Sequence, residues 1–340
     1  MLSQFGYCAM IIAFGFFPVM LFLLCLFLLD SFKLVSARWL VACLLWGIIS
    51  AVIAFFVNTA VVEGVHLSYE ALTRYVAPVT EELIKAALLF VLIARRQIGF
   101  MIDAAIYGFA IGTGFALAEN LWYYIHLGAD FNVLLAIVRG FGTAIMHGGV
   151  VAIAAIFLIE GMQRNNHMIT GGSIGLLAAI LLHSAFNHFI FDPLLMTMLI
   201  IIFLPLVFYL VFMYTMRYLQ NWLEVEFSNE VDMLRMMRQG HFRDTKSGHY
   251  LASLKEHFPP ETLVDMYCFF SLYLELSIKA KRNLLLKESG FPVIIEPDIK
   301  HKLMELKLLR KQIGKAGEMA LWPLVRMSHR ELWELNQLDS

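Results

Sequence analysis

The sequence predicts an all-α fold, a polytopic membrane helix bundle of about seven spans with a C-terminal soluble α-helical domain. Three observations predict it. The chain is 60% hydrophobic with a mean hydropathy of +0.71, whereas a soluble chain is about 45–50% apolar. Apolar runs near the ~20-residue length of a membrane helix recur at 6–29, 39–58, 76–94, 102–125, 133–159, 170–191 and 194–216. Charge is also unevenly spread: residues 1–216 hold 18 Asp, Glu, Lys and Arg, and residues 217–340 hold 35. The expected domains are therefore 1–216 in the membrane and 217–340 in the cytoplasm. The net charge of −1 gives no reason to expect nucleic-acid binding.

Each span has its own signals. The opening MLSQFGY lacks the positive region of a cleavable signal peptide, so 6–29 reads as a retained first span. The fifth run is long enough to tilt or project from the bilayer. Asp192-Pro193 is a sharp turn between the last two. Basic residues fall in alternate connections: Lys33 and Arg38, then Arg95 and Arg96, then Arg164, then Arg217. By the positive-inside rule the N-terminus is outside and the tail is cytoplasmic. Cys8, Cys25, Cys43 and Cys268 form no C-x-x-C pair, so they read as small buried hydrophobes rather than disulfide or zinc ligands.

The tail is expected to be helical over 221–239, 261–288 and 298–316. Gly240, Pro259-Pro260, Gly290 and Pro292 punctuate it. Ser328 and Glu331 have capping-box spacing before Leu332. Its mixed charges read as solvated faces, and no chemical motif is visible in it.

Four of the apolar runs carry groups that hydrocarbon does not tolerate alone. Glu81, Glu82 and Lys85 lie in the third, and Glu119 and Asn120 in the fourth. His147 lies in the fifth, and His183 with Asn187 in the sixth. Such groups cost about 2.5–3.5 kcal/mol each on insertion scales, so they face a wet cavity or one another. Helical spacing puts Glu81 and Lys85 at i, i+4 and Glu82 and Lys85 at i, i+3. One lysine cannot neutralise both acids. The bland reading is a structural ion pair with one neutral carboxylic acid.

Small residues at Ala104, Gly108, Gly112 and Ala116 form an i+4 stripe that lets another helix approach, with Glu119 near the same face. Gly175, Ala179, His183 and Asn187 repeat the device. Arg139 could serve as counter-ion to a spare carboxylate or as an interface anchor. His126 and His188 read as helix-to-helix hydrogen bonds. With the charge-derived orientation, Glu81, Glu119 and His183 fall roughly 8–12 Å below the outer surface. His147 is deeper.

Glu81-Glu82-x-x-Lys85, Phe115-x-x-x-Glu119-Asn120, His147 and His183-x-x-x-Asn187 resemble the motifs of PrsW-type intramembrane proteases. These are related to type II CAAX-prenyl endopeptidases and bacteriocin-processing membrane proteins. The resemblance covers about residues 76–190. It implies a membrane endopeptidase with an intramembrane site, acting on a membrane protein substrate such as an anti-sigma factor. It implies nothing about the tail, whose cytoplasmic partner is unknown. In the prenyl proteases the second motif ends in His, whereas Glu119-Asn120 stands here. A glutamate-based and a metal-dependent mechanism both remain open.

In the first, Glu81 is the leading base, Glu82 the second choice, and Lys85 holds a carboxylate. His183 and Asn187 polarise the scissile carbonyl. In the second, His147, His183 and Glu119 are ligands that suit zinc, although no H-E-x-x-H helix is present. Two rival readings use the same residues: a proton- or cation-coupled transporter, and a membrane receptor or scaffold held together by polar contacts.

Overall fold

A computed structural model describes residues 6, 12–127, 132–165, 168–293, 296–325 and 328–338. Cys8 and the side chain of Arg164 lie outside the described set. The chain divides into two compact units, Met1–Thr215 and Met216–Ser340, and the described regular structure is entirely helical.

In the first unit a π-helical turn, Ile12–Phe16, leads into α1 (Phe17–Leu29). Then follow α2 (Ala37–Val65), α3 (Ala77–Ala94) and α4 (Met101–Leu127). A second π-turn, Leu72–Val76, runs directly into α3, and a third, Val138–Thr143, runs into α5 (Ala144–Asn165). The unit closes with α6 (Met168–Asn187) and the first part of α7 (Pro193–Arg238). Among the described residues, five helical stretches are long and apolar enough to cross a membrane: α2, α4, Val133–Gln163, α6 and α7. Ala13–Leu29 is apolar but shorter. α3 spans 18 residues and carries Glu81, Glu82 and Lys85.

The fifth expected span, 133–159, lies within the helical stretch Val133–Gln163, which contains the Val138–Thr143 π-turn. One sequence expectation is corrected: the helix of the seventh span does not end at 216. Residues 217–238 contain neither glycine nor proline, so nothing breaks the backbone ladder, and α7 runs on to Arg238, absorbing most of the expected 221–239 helix. Pro205 lies inside it.

α4 is the central rod, packed on α2 and α5, while α5 also packs on α6. Glycines permit this. A Cβ on Gly112 would lie 2.1 Å from the His147 carbonyl oxygen. A Cβ on Gly47 of α2 would lie 2.1 Å from the Ile111 carbonyl oxygen. α5 and α2 therefore approach α4 more closely than any side chain would allow. The other end of α4 is tied by Asp103. Its carboxylate accepts the backbone N–H of Gly99, Phe100 and Ala104 at 2.7, 2.8 and 3.0 Å, filling the role of an N-terminal cap. Tyr107 accepts the Ser36 N–H at 2.8 Å and fixes the α1–α2 connection.

In the second unit, α7 residues from Met216 onward are joined by α8 (Lys246–Ser253), α9 (Pro260–Glu288), α10 (Ile299–Leu321) and α11 (His329–Asn336). Met266, Phe269, Phe270 and Leu274 of α9 pack with Leu306 and Ile313 of α10 in its core. α10 is bent at Gly314, whose φ of 66° suits glycine. The expected capping box does not form in full: the Ser328 hydroxyl donates to the Glu331 carboxylate instead of accepting a backbone N–H.

Candidate metal centre within the bundle

The polar groups of four spans meet in one cluster built on α3. Its first turns present Glu81, Glu82 and Lys85 toward α5 and α6. Lys85 is fully buried. Its Nζ lies 2.7 Å from Glu82 Oε1 and 3.7 Å from Glu81 Oε2. It also lies 3.0 Å from His147 Nδ1 on α5 and sits 3.8 Å from the Phe115 ring centroid on α4. The ammonium can only donate, so His147 Nδ1 accepts. The proton of that neutral ring is then on Nε2, which donates to Glu119 Oε2 at 3.1 Å.

His183 on α6 is held from the other side. Its Nδ1–H donates to Glu82 Oε1 at 2.8 Å, which leaves the Nε2 lone pair 3.9 Å from Glu81 Oε2. The two imidazoles stand edge to face with centroids 4.8 Å apart. Glu82 thus occupies the position of a carboxylate that orients a ligating histidine from behind.

Glu81, His147 and His183 each offer one ligand atom, and these atoms lie within 4.8 Å of one another. Glu81 Oε2 is buried without a hydrogen-bond partner, although a lone buried carboxylate oxygen is costly. An oxygen and two imidazole nitrogens form the donor set of a zinc-type site. The residues present therefore fit a metal ion, provided that His147 releases either Lys85 or Glu119. The carboxylate grouped with the two histidines is Glu81, whereas the sequence reading grouped Glu119 with them.

Glu119 is instead paired with Arg139, whose guanidinium lies 3.0 Å from Oε2. Of the two sequence readings of Arg139, this geometry is that of the counter-ion. Arg139 also stacks on Tyr123 at 3.7 Å and donates through Nε to Asn120 Oδ1 at 3.0 Å. The Asn120 amide donates to the Gly15 carbonyl at 2.9 Å. Asn120 thus ties the first π-turn to the third.

Asn187 is turned away from the acids: its amide donates to the Thr73 carbonyl at 2.9 Å. One turn earlier, the Ser184 hydroxyl donates to the Arg74 carbonyl at 2.6 Å. The end of α6 is clasped to the Leu72–Val76 π-turn that feeds α3. This clasp was not visible in the sequence, since no pattern marks Ser184. His188 and His126 differ from expectation. Each imidazole contacts the backbone carbonyl four residues earlier, Ser184 at 2.6 Å and Trp122 at 2.9 Å, because a ring one turn beyond that carbonyl reaches it more easily than a neighbouring helix.

The model of the PrsW family intramembrane metalloproteases matches residues 35–215. The chain belongs to this family. It is accordingly a multi-pass membrane protein and an intramembrane peptidase, and its substrate is a membrane protein met within a lipid environment. The match contains the whole Glu81–His183 cluster. In this PrsW-family member, Gly15 and the whole Met216–Ser340 unit lie outside it. No curated protein and no solved structure matches the chain.

Proposed function

We propose that this PrsW-family protease hydrolyses a peptide bond near the extracytoplasmic side of a membrane-associated protein, with Glu81, His147 and His183 holding zinc. The observation that carries the proposal is the meeting of a buried carboxylate oxygen without a hydrogen-bond partner and two imidazoles from separate helices. Bound zinc supplies a Lewis acid and lowers the pKa of a coordinated water toward ~7.

The chain's own groups do the rest. Glu82 keeps the His183 proton on Nδ1, so that Nε2 faces the site. Lys85 neutralises Glu82 and keeps positive charge where an oxyanion would form. Glu119, hydrogen-bonded to His147 Nε2, would orient that imidazole from behind as Glu82 orients His183. Arg139 pairs with Glu119 behind that imidazole. Asn187 and Asn120 support the site through the π-turns they tether.

The alternating basic connections favour an external N-terminus and a cytoplasmic tail, in a bacterial cytoplasmic membrane. That orientation suits regulated proteolysis of a signalling substrate such as an anti-sigma factor. The test is co-expression with a tagged single-span substrate. Glu81→Gln and His183→Ala should each lower cleavage by about three orders of magnitude. Cleavage retained in both variants would reject the assignment.

A further inference from the structure

A cavity of about 400 Å³ opens in the second unit between α7, α9 and the turn that follows α10. Small-molecule sites occupy about 300–1,000 Å³ and combine apolar walls with a few convergent polar groups. This cavity falls in that volume range and combines aromatic and aliphatic walls with several polar groups. Phe270, Tyr273 and Leu274 of α9 line one side, and Trp322 and Val325 line another. Trp322 is largely exposed, which places an aromatic face at the rim.

The charged side chains that line it are of one sign. Glu226, Glu230 and Glu331 line the cavity, and no lysine or arginine does so among the described residues. The adjacent cation is Lys281, fully buried behind them. It is already shared among three carboxylates, at 2.6 Å from Glu230, 3.3 Å from Glu226 and 3.7 Å from Glu334. The Ser277 hydroxyl, with one hydrogen to give, lies 2.9 Å from Glu230 Oε1 and 2.6 Å from Glu334 Oε1. Even so, Glu334 Oε2 is wholly buried without a hydrogen-bond partner. One ammonium sits among these three glutamates, two of which, Glu226 and Glu230, also line the cavity.

We propose that the cavity binds a small organic cation: an amidinium, guanidinium or ammonium group on an apolar body. The charged head meets Glu226 and Glu230, and the body lies against Tyr273, Phe270 and Trp322. Anions are repelled by the wall, and a neutral analogue of the same shape lacks the charge that pairs with it. Cations over aromatic faces beside carboxylates gain both from the ring quadrupole and from charge-assisted hydrogen bonds.

The experiment uses the full chain in detergent micelles, titrated with benzamidine, neutral benzamide and anionic benzoate by ligand-observed NMR. Benzamidine is expected to bind saturably, with benzamide about tenfold weaker and benzoate weaker still. Glu226→Gln, at a half-exposed rim position, and Glu230→Gln should each weaken benzamidine several-fold while sparing residual benzamide binding. Glu81→Gln should leave benzamidine binding unchanged, which separates this cavity from the membrane site. Equal binding of benzamidine and benzamide, no saturable binding, or loss in Glu81→Gln but not in Glu226→Gln would overturn the proposal.

Discussion

Each unit of the molecule buries one lysine among glutamates, and the two clusters differ in what else they contain. Lys85 sits between Glu81 and Glu82 and touches His147, with His183 on the far side of Glu82. Lys281 sits among Glu226, Glu230 and Glu334, with Ser277 between them. A buried ion pair is weak evidence of function on its own, since such pairs also serve as structure. The imidazoles make the difference. They bring lone pairs to the Lys85 cluster, so its donor set fits a metal ion. The Lys281 cluster offers only carboxylates and a hydroxyl, and suits holding helices together and presenting negative charge.

This contrast can be broken by substitution. The largest expected effect on folding is Lys281→Met, which strands buried carboxylates and should destabilise the second unit by about 3–5 kcal/mol, measured by thermal melting. Cleavage per folded molecule should be unchanged. A loss of specific cleavage without a loss of stability would mean that the two clusters are not divided as structure and chemistry.

Glu82→Gln comes next. It removes the carboxylate that orients His183 but leaves the three candidate ligands in place. Losing an orienting partner of this kind costs about 10–100-fold in metal affinity or activity. An unchanged zinc affinity and cleavage rate would show that His183 needs no such support.

The helical class was legible in hydropathy alone, because a run of apolar residues that long has few alternatives. The i, i+4 arithmetic placed Glu81 and Lys85 on one face, and they lie 3.7 Å apart. What helical spacing does not contain is the rotation of one helix about its axis relative to another. The Lys85–His147 contact, made across 62 positions of sequence, depends on that rotation. So does the grouping of Glu81 rather than Glu119 with the two histidines. Asn187 shares the face of His183, but its side-chain direction is set by the Thr73 carbonyl that a π-turn exposes. π-helical turns leave little trace in composition, so the three that flank the site were not foreseen. The reach of α7 to Arg238 was missed because the fall in hydropathy after Arg217 resembles a boundary, while the backbone has no breaker there.

The smallest expected effect is a pH slope. Burial pushes the Glu334 carboxyl up from its ordinary 4.5 to about 8, with Lys281 pulling the other way. Between those two values the folded state holds a proton that the unfolded state has released. The contribution of Glu334 is therefore fully present below about 4.5 and is lost as pH rises through about 8. Glu334→Gln, which mimics the protonated form, should flatten the decline in second-unit melting temperature across that window. A steeper decline in the variant would reverse the assignment.

The most direct measurement is the X-ray absorption spectrum of the purified protein loaded with zinc, read beside metal content. The expected result is one zinc per chain, coordinated by two imidazole nitrogens and by oxygen, and lost in Glu81→Gln, His147→Ala and His183→Ala. Stoichiometric zinc retained by all three variants, or a first shell without imidazole, would contradict the shared site.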